Sequence, residues 1–303
     1  MLSPVIAGVD GSAEGLAAAE WAAREAVRRN RPLHLLHVWD RHSHGHHSTP
    51  ASTAQRYPAR RALREAEDRV RRACPGVRLG AAEQVEGPAT AALLRAAERA
   101  ELLVLGSRGL TGLAAPLVGS VALGVVARSP RPVVLVRKGE QAEDEHVLAD
   151  DGTPSTGTGT GYRDVLLGID LADARDEVIE FAFGEAASRP ARLRVVHAWQ
   201  SPSALGLGPG DIGLAGDPAR AEEWQQILSA ALKVWRDKYP QTEVLETVVK
   251  GRASSALVRA ASAASLLVVG RRLRERPTLA HIGPVTHAVA HHAGCPLAVV
   301  PHR

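Results

Sequence analysis

Aromatic residues are scarce, with Phe, Tyr and Trp together making 3% of 303 residues. A hydrophobic fraction of 45% with so few rings leaves cores to be built from Leu, Val and Ala. The two cysteines, Cys74 and Cys295, lie far apart and outside any CxxC or Cys/His spacing. That excludes a disulfide framework and a cysteine-based metal site, and leaves two ordinary thiols of a reducing compartment. No apolar run approaches the about 18 residues that a spanning helix needs, so no membrane partner is expected. The GxxxxGK[ST] loop of strong NTPases is missing. Basic residues outnumber acidic ones by only 37 to 33, and no basic run is interleaved with aromatics, which argues against nucleic acid. No basic and then apolar leader precedes Val5-Ile-Ala-Gly-Val9, and a cytoplasmic location is the expectation.

What the chain does have is itself, twice. Asp10 and Asp170, His37 and His197, and Trp39 and Trp199 stand 160 residues apart. Gly87 and Gly251, Gly106 and Gly270, Gly119 and Gly283, and Pro132 and Pro296 stand 164 apart. The four extra residues of the second copy fall between the Trp and Gly87 positions, where the pattern is loop-like. An acidic run from Gly139 to His146 and a Gly/Thr tract from Asp150 to Gly161 separate the copies, and read as a flexible linker. The expected division is domain one over 1–138, linker over 139–161 and domain two over 162–303.

Within each copy, apolar runs alternate with helical periodicity. In the first, strands are expected over Pro4 to Val9, Leu33 to Trp39, Val77 to Val85, Leu102 to Leu105 and Val133 to Val136. Helices are expected over Ala13 to Arg29 behind a Ser12 N-cap, through Ala59 to Ala73, from Pro88 to Ala100 and from Ser120 to Arg128. Alternation of this kind predicts an α/β fold of two tandem, doubly wound parallel five-stranded sheets. Ligands of such sheets bind beyond the carboxyl ends of the strands where the winding reverses, here after strands one and four.

The loop after strand four reads Gly106-Ser-Arg108-Gly109, then Gly119-Ser120 ten residues on, with no Asp or Glu between. Glycines permit close backbone approach, a helix start contributes partial positive charge and Arg108 adds a cation, so the segment suits a polyphosphate. A structural loop that needs glycine for its turns is the competing reading. The spacing resembles the nucleotide motif of the universal stress protein family, and all four signature positions, Gly106, Gly109, Gly119 and Ser120, match.

That resemblance implies a flavodoxin-like, adenine-nucleotide α-hydrolase-like fold that binds ATP, with Mg. It implies that Gly8 and Asp10 of Gly8-Val-Asp10-Gly-Ser12 lie beside the nucleotide. It also implies that the Val38 backbone meets the adenine edge and that the Val121 N–H joins the cradle. Asp10 also suits a helix cap, and Trp39 either stacks or simply packs. The resemblance further implies antiparallel pairing of the last strands, Val133 to Val136 with Leu297 to Val300, making the chain a pseudo-dimer by itself; a homodimer of chains is the alternative.

The second copy departs from the motif. Leu273 replaces the second glycine and Pro284 the serine, so a donor is lost, although Asp170, Gly270 and Gly283 remain. Arg271, Arg272, Arg274 and Arg276 still offer anion-holding charge. Weak, altered or absent nucleotide binding is expected there. His42, His44, His46 and His47 crowd one loop, but no Cys or carboxylate completes a ligand set, and no metal site is assigned. His281, His287, His291 and His292 read as surface or packing residues.

No catalytic residues are assigned, because one aspartate is a thin constellation for chemistry. The expected function is an ATP-binding sensor or regulator in a stress response. A slow ATPase and a nucleotide-free partner-binding module are the alternatives, and aromatic-poor loops argue against a flavin carrier. Deleting 42–47 is expected to leave ATP affinity unchanged by calorimetry; a large loss would make that loop a lid or ligand.

Overall fold

A computed structural model describes residues 2–39, 51–107, 118–148, 161–200, 217–273 and 282–303, with the side chains of 51–58 and 217 excepted. In the first half, β1 (Val5–Gly8), α1 (Ala13–Arg28), β2 (Leu33–Trp39), α2 (Ala51–Ala73), β3 (Leu79–Glu86), α3 (Ala89–Arg99), β4 (Leu102–Ser107), α4 (Ser120–Val126) and β5 (Val133–Arg137) alternate as expected. The second half repeats the plan with β6 (Asp164–Gly168), α5 (Asp176–Ser188), β7 (Leu193–Trp199), α6 (Asp217–Lys238) and β8 (Val244–Lys250). It ends with α7 (Ala253–Ala261), β9 (Ala264–Arg272), α8 (Pro284–His292) and β10 (Leu297–His302).

The strands form one ten-stranded sheet in the order β3-β2-β1-β4-β5-β10-β9-β6-β7-β8. Among the described strands, pairing is parallel within each half and antiparallel at the seam, where Leu135, Val134 and Val133 oppose Leu297, Ala298 and Val299. Every residue of that register is buried. Two apolar edges that would otherwise be exposed thereby cover each other. The last strands of the two halves do pair antiparallel within one chain.

The winding reverses between β1 and β4 in the first half and between β6 and β9 in the second. Aliphatic cores cover both faces, one containing Val5, Leu35, Val104 and Phe183, the other Ile6, Leu103, Leu135 and Leu267.

On one face, α1 and α5 meet through buried charge. Glu25 pairs with Arg29 four residues on at 2.5 Å and with Arg189 of the other half at 2.7 Å. Glu185 pairs in the same way with Arg189 and with Arg29. Arg189 lies 5.6 Å over the Trp21 ring and Arg29 lies 5.3 Å over the Phe181 ring. All three relationships are duplicates at a spacing of 160 residues, so the cluster is a pseudo-twofold device. Burial alone would raise the Glu25 carboxyl, but Arg189, Arg29 and Arg28 hold it well below its ordinary range.

The expected flexible linker is not loose along its whole length. Glu143–Glu145 forms a 3₁₀ turn, and Glu145 is buried between Arg24, at 2.8 Å, and Arg28 of α1. His146 bridges antiparallel to Tyr162, whose ring lies 4.2 Å from its own. An acidic run can leave water when guanidinium groups await it. Residues 149–160 lie outside the described residues.

Two further arginines tie the halves together. Arg271 of β9 is buried and donates to the carbonyls of Ala127, at 2.9 Å, and Ser129, just past α4. Burial pushes its guanidinium down to about 10. Arg137 of β5 donates at 2.7 Å to the carbonyl of His291 in α8. Each half therefore satisfies orphan carbonyls at a helix end of the other. Cys74 and Cys295 are both free, and burial pushes the Cys295 thiol up to about 12, as suits an inert cysteine.

Two carboxylates set opposite pH limbs. The depressed Glu25 contributes stability above its ordinary 4.5 that is lost as pH falls. Burial, then Asp144 and Glu145, pushes Glu140 up to about 8, partly offset by Arg24 and Arg163, so its contribution fades as pH rises from 4.5 to 8. Glu140→Gln is expected to flatten the alkaline limb of a denaturation series and raise stability at pH 8. Glu25→Gln is expected to cost about 3–5 kcal/mol at neutral pH, because Arg189 is then buried without full compensation. An unchanged denaturation midpoint in Glu25→Gln would show that the cluster does not hold the halves together.

Candidate functional site

At the carboxyl ends of β1, β2 and β4 lies a cavity of about 340 Å³. Gly8, Asp10, Val38, Gly106, Gly119, Ser120 and Val121 all line it, so seven of the nine sequence-selected positions converge on one space. Arg108 and Gly109 lie outside the described residues, as does the histidine loop.

The wall nearest the strands is apolar, formed by Val9, Leu36, Val38, Leu93 and Leu105. The opposite end is polar backbone, with Gly106 on one side and Gly119, Ser120 and Val121 at the start of α4 on the other. Sequence reasoning passed over Leu36, Leu93 and Leu105, since nothing separates a lining leucine from a core leucine in a strand or helix pattern. Trp39 is not among the lining residues.

Asp10 does two things. Its Oδ1 accepts from the backbone N–H of Ser12 at 3.0 Å and from the Ser12 hydroxyl, whose oxygen accepts from the Gly15 N–H at 3.0 Å. The carboxylate thus steadies the N-cap of α1 while lining the cavity. Behind it, His37 Nδ1 lies 2.8 Å from the Val9 carbonyl, tying the end of β2 to the turn after β1. His197 and the Ile169 carbonyl repeat this at 3.1 Å.

The glycines divide by what each excludes. A Cβ on Gly106 would sit 2.6 Å from the Glu14 carbonyl carbon and 2.7 Å from the Gly15 nitrogen, so the start of α1 packs directly on it. Gly87, at φ +133, donates its N–H to the Trp39 carbonyl at 2.9 Å, as a structural turn. Gly119 is different: its φ is −55 and a Cβ there would meet nothing within 4 Å. No described residue needs a glycine at that position, and among the described residues the space beside it is open.

The second half holds a corresponding cavity of about 450 Å³ at the ends of β6, β7 and β9. Asp170, Gly270 and Gly283 line it, joined by Pro284 and Val285. Asp173, in a 3₁₀ turn before α5, pairs with Arg175 at 2.5 Å and with Arg272 at 2.5 Å. Of the four arginines expected to offer anion-holding charge, two are described, and both already have partners. Arg271 points to the first half's carbonyls and Arg272 is held by Asp173, while Arg274 and Arg276 lie outside the described residues. Among the described histidines, His291 is a packing residue, its Nδ1 3.5 Å from the Val118 N–H and its ring 4.5 Å from His287.

The sequence model of the universal stress protein family matches residues 1–137 and again 161–301. The chain belongs to the universal stress protein family. A universal stress protein of Mycobacterium tuberculosis strain H37Rv is 31% identical over 307 residues, covering 97% of this chain and 96% of that one. A Mycolicibacterium smegmatis relative is 30% identical over 311 residues, covering 99% and 97%. The solved universal stress protein of Archaeoglobus fulgidus superposes with a TM-score of 0.71 over 99% of this chain and 98% of its own, at 16% identity, a likeness of fold. The likeness therefore runs over at least 96% of each of these relatives.

The glycine geometry makes a prediction of its own. Gly106→Ala is expected to lower stability by about 1–3 kcal/mol by forcing α1 off β4. Gly119→Ala is expected to leave stability within about 0.5 kcal/mol. Thermal denaturation of the two variants checks this, and equal losses would show that Gly119 is a structural glycine like Gly106.

Proposed function

We propose that the first half binds ATP, as its Mg complex, and that the protein is a nucleotide-dependent regulator or sensor in a stress response. The observation that carries this reading is the convergence of Gly8, Asp10, Val38, Gly106, Gly119, Ser120 and Val121 on one cavity at the point where the sheet winding reverses. The apolar wall of Leu36, Val38 and Leu93 suits a purine, with the Val38 backbone at its edge. The backbone N–H groups of Ser120 and Val121, in the first turn of α4, suit phosphate oxygens. Arg108 and Gly109 complete the motif in this reading.

Charge decides the form of the ligand. The described lining carries two carboxylates, Asp10 and Glu14, and no cationic side chain. Beside those two carboxylates a polyphosphate gains from a divalent ion that neutralises both partners, with Arg108 adding its cation in this reading. Magnesium would supply that neutralisation when bound; Asp10 and Glu14 are the residues that fit it by charge. A role in regulation rather than rapid turnover follows from the same inventory. Asp10 is already engaged by Ser12, and the described lining offers no histidine, lysine or cysteine to act as base or nucleophile.

Calorimetry on nucleotide-stripped protein tests the proposal. One Mg-ATP per chain is expected, with affinity at least about tenfold weaker when EDTA removes the metal. Gly119→Asp is expected to abolish binding while the unfolding midpoint is kept, because it adds a charge and a side chain to open space. Retained affinity in Gly119→Asp would remove this cavity from the reading.

A further inference from the structure

The second cavity has kept one end of the first and rebuilt the other. Its apolar wall is conserved in kind: Val196 stands where Leu36 does, Leu257 where Leu93 does and Val269 where Leu105 does. Asp170 repeats Asp10, down to an Oδ1 that accepts a backbone N–H two residues on, from Ala172 at 3.1 Å.

The phosphate end keeps Gly270, Arg272, Gly283 and Val285 in the places of Gly106, Arg108, Gly119 and Val121, and differs at the points between them. Pro284 replaces Ser120 and has no N–H. Arg271 and Arg272 continue β9, and the Leu273 N–H is spent on the His302 carbonyl at 2.7 Å. A Cβ on Gly270 would lie 3.0 Å from the His302 ring, so that ring stands where Gly106 faces the start of α1. Asp173 takes the place of Ala13 and Arg175 that of Gly15. The two cationic side chains, Arg175 and Arg272, are both closed on Asp173, at 2.5 Å each. An incoming phosphate would meet a carboxylate already seated on the only described cations of the lining, and fewer backbone donors behind them.

We infer that the second cavity binds an uncharged nucleoside, adenosine being the probe of choice, and discriminates against its phosphorylated forms. The larger volume, about 450 Å³ against 340 Å³, accommodates base and ribose without requiring the phosphate end. Asp170 is placed to accept from ribose hydroxyls, and the apolar wall takes the base. The choice of a nucleoside rests on the nucleotide reading of the first half. The discrimination against phosphate rests on Asp173 and Pro284 alone. In this account the chain carries two unlike sites, one for the phosphorylated ligand and one for the same ligand stripped of phosphate.

The test uses the full-length chain carrying Gly119→Asp, which silences the first site. Adenosine is expected to bind with a stoichiometry of one, and Mg-ATP at least about tenfold more weakly. A cavity-filling substitution in the second half, Ala198→Phe or, should that fold poorly, Ala253→Phe, is expected to remove adenosine binding. Asp173→Ala, which frees Arg175 and Arg272, is expected to raise the Mg-ATP affinity of this cavity at least about tenfold and leave adenosine unaffected. Equal affinity for adenosine and Mg-ATP in the Gly119→Asp chain, or adenosine binding that survives both filling substitutions, would overturn the inference. So would the absence of any adenosine binding, even with one Mg-ATP site intact in the unsubstituted chain. If the unsubstituted chain took adenosine in the second cavity but no ATP anywhere, the nucleotide reading of the first half would fail by itself.

Discussion

Four side chains, Glu25, Arg29, Glu185 and Arg189, decide how the two halves meet. Each glutamate serves the arginine of its own helix and that of the other half. Buried charges of this kind add little net stability over a well-packed apolar contact, but the wrong register leaves them unpaired at high cost. Their effect is therefore geometric: all four pairs are met together in the observed approach of α1 and α5. Given that approach, β5 and β10 lie side by side and close the ten-stranded sheet through Val133, Val134 and Leu135.

The seam places the two cavities in opposite halves of one continuous sheet, and side chains run from one half to the other. Arg271 reaches the carbonyls behind α4, whose first residues line the first cavity, while its neighbour Arg272 lines the second. Arg137 reaches the end of α8, whose first residues line the second cavity. The two copies hold corresponding pockets whose linings differ at a few positions. A helix start that offers Ser120 in one copy offers Pro284 in the other, and where one copy has Gly15 against the strand the other has an arginine held by Asp173.

Much of this was legible in the residues. Asp, His and Trp pairs 160 residues apart and glycine and proline pairs 164 apart exposed the duplication, since glycine and proline mark backbone demands and the others stand at strand ends. The strand and helix alternation gave the sheet, and the glycine motif led to seven residues that do surround one cavity. The charge cluster was harder to see because its pairs lie 164 and 156 residues apart. Its signature was nonetheless present, in a Glu and an Arg four apart behind an aromatic residue at Trp21 and again at Phe181. The acidic run before the Gly/Thr tract misled for a related reason. Glu145 looks solvated until Arg24 and Arg28 are placed on the same face of α1. Composition registers charge; only the fold tells which charges leave water together.

The account's central claim is that one copy kept a phosphate cradle and the other lost it. Hydrogen–deuterium exchange, read with and without Mg-ATP, addresses both copies in one experiment. The account predicts slowed exchange at the amides of Gly119, Ser120 and Val121, with Gly283, Val285 and Thr286 unchanged. Protection of equal size at both helix starts, or protection confined to the second half, would contradict it.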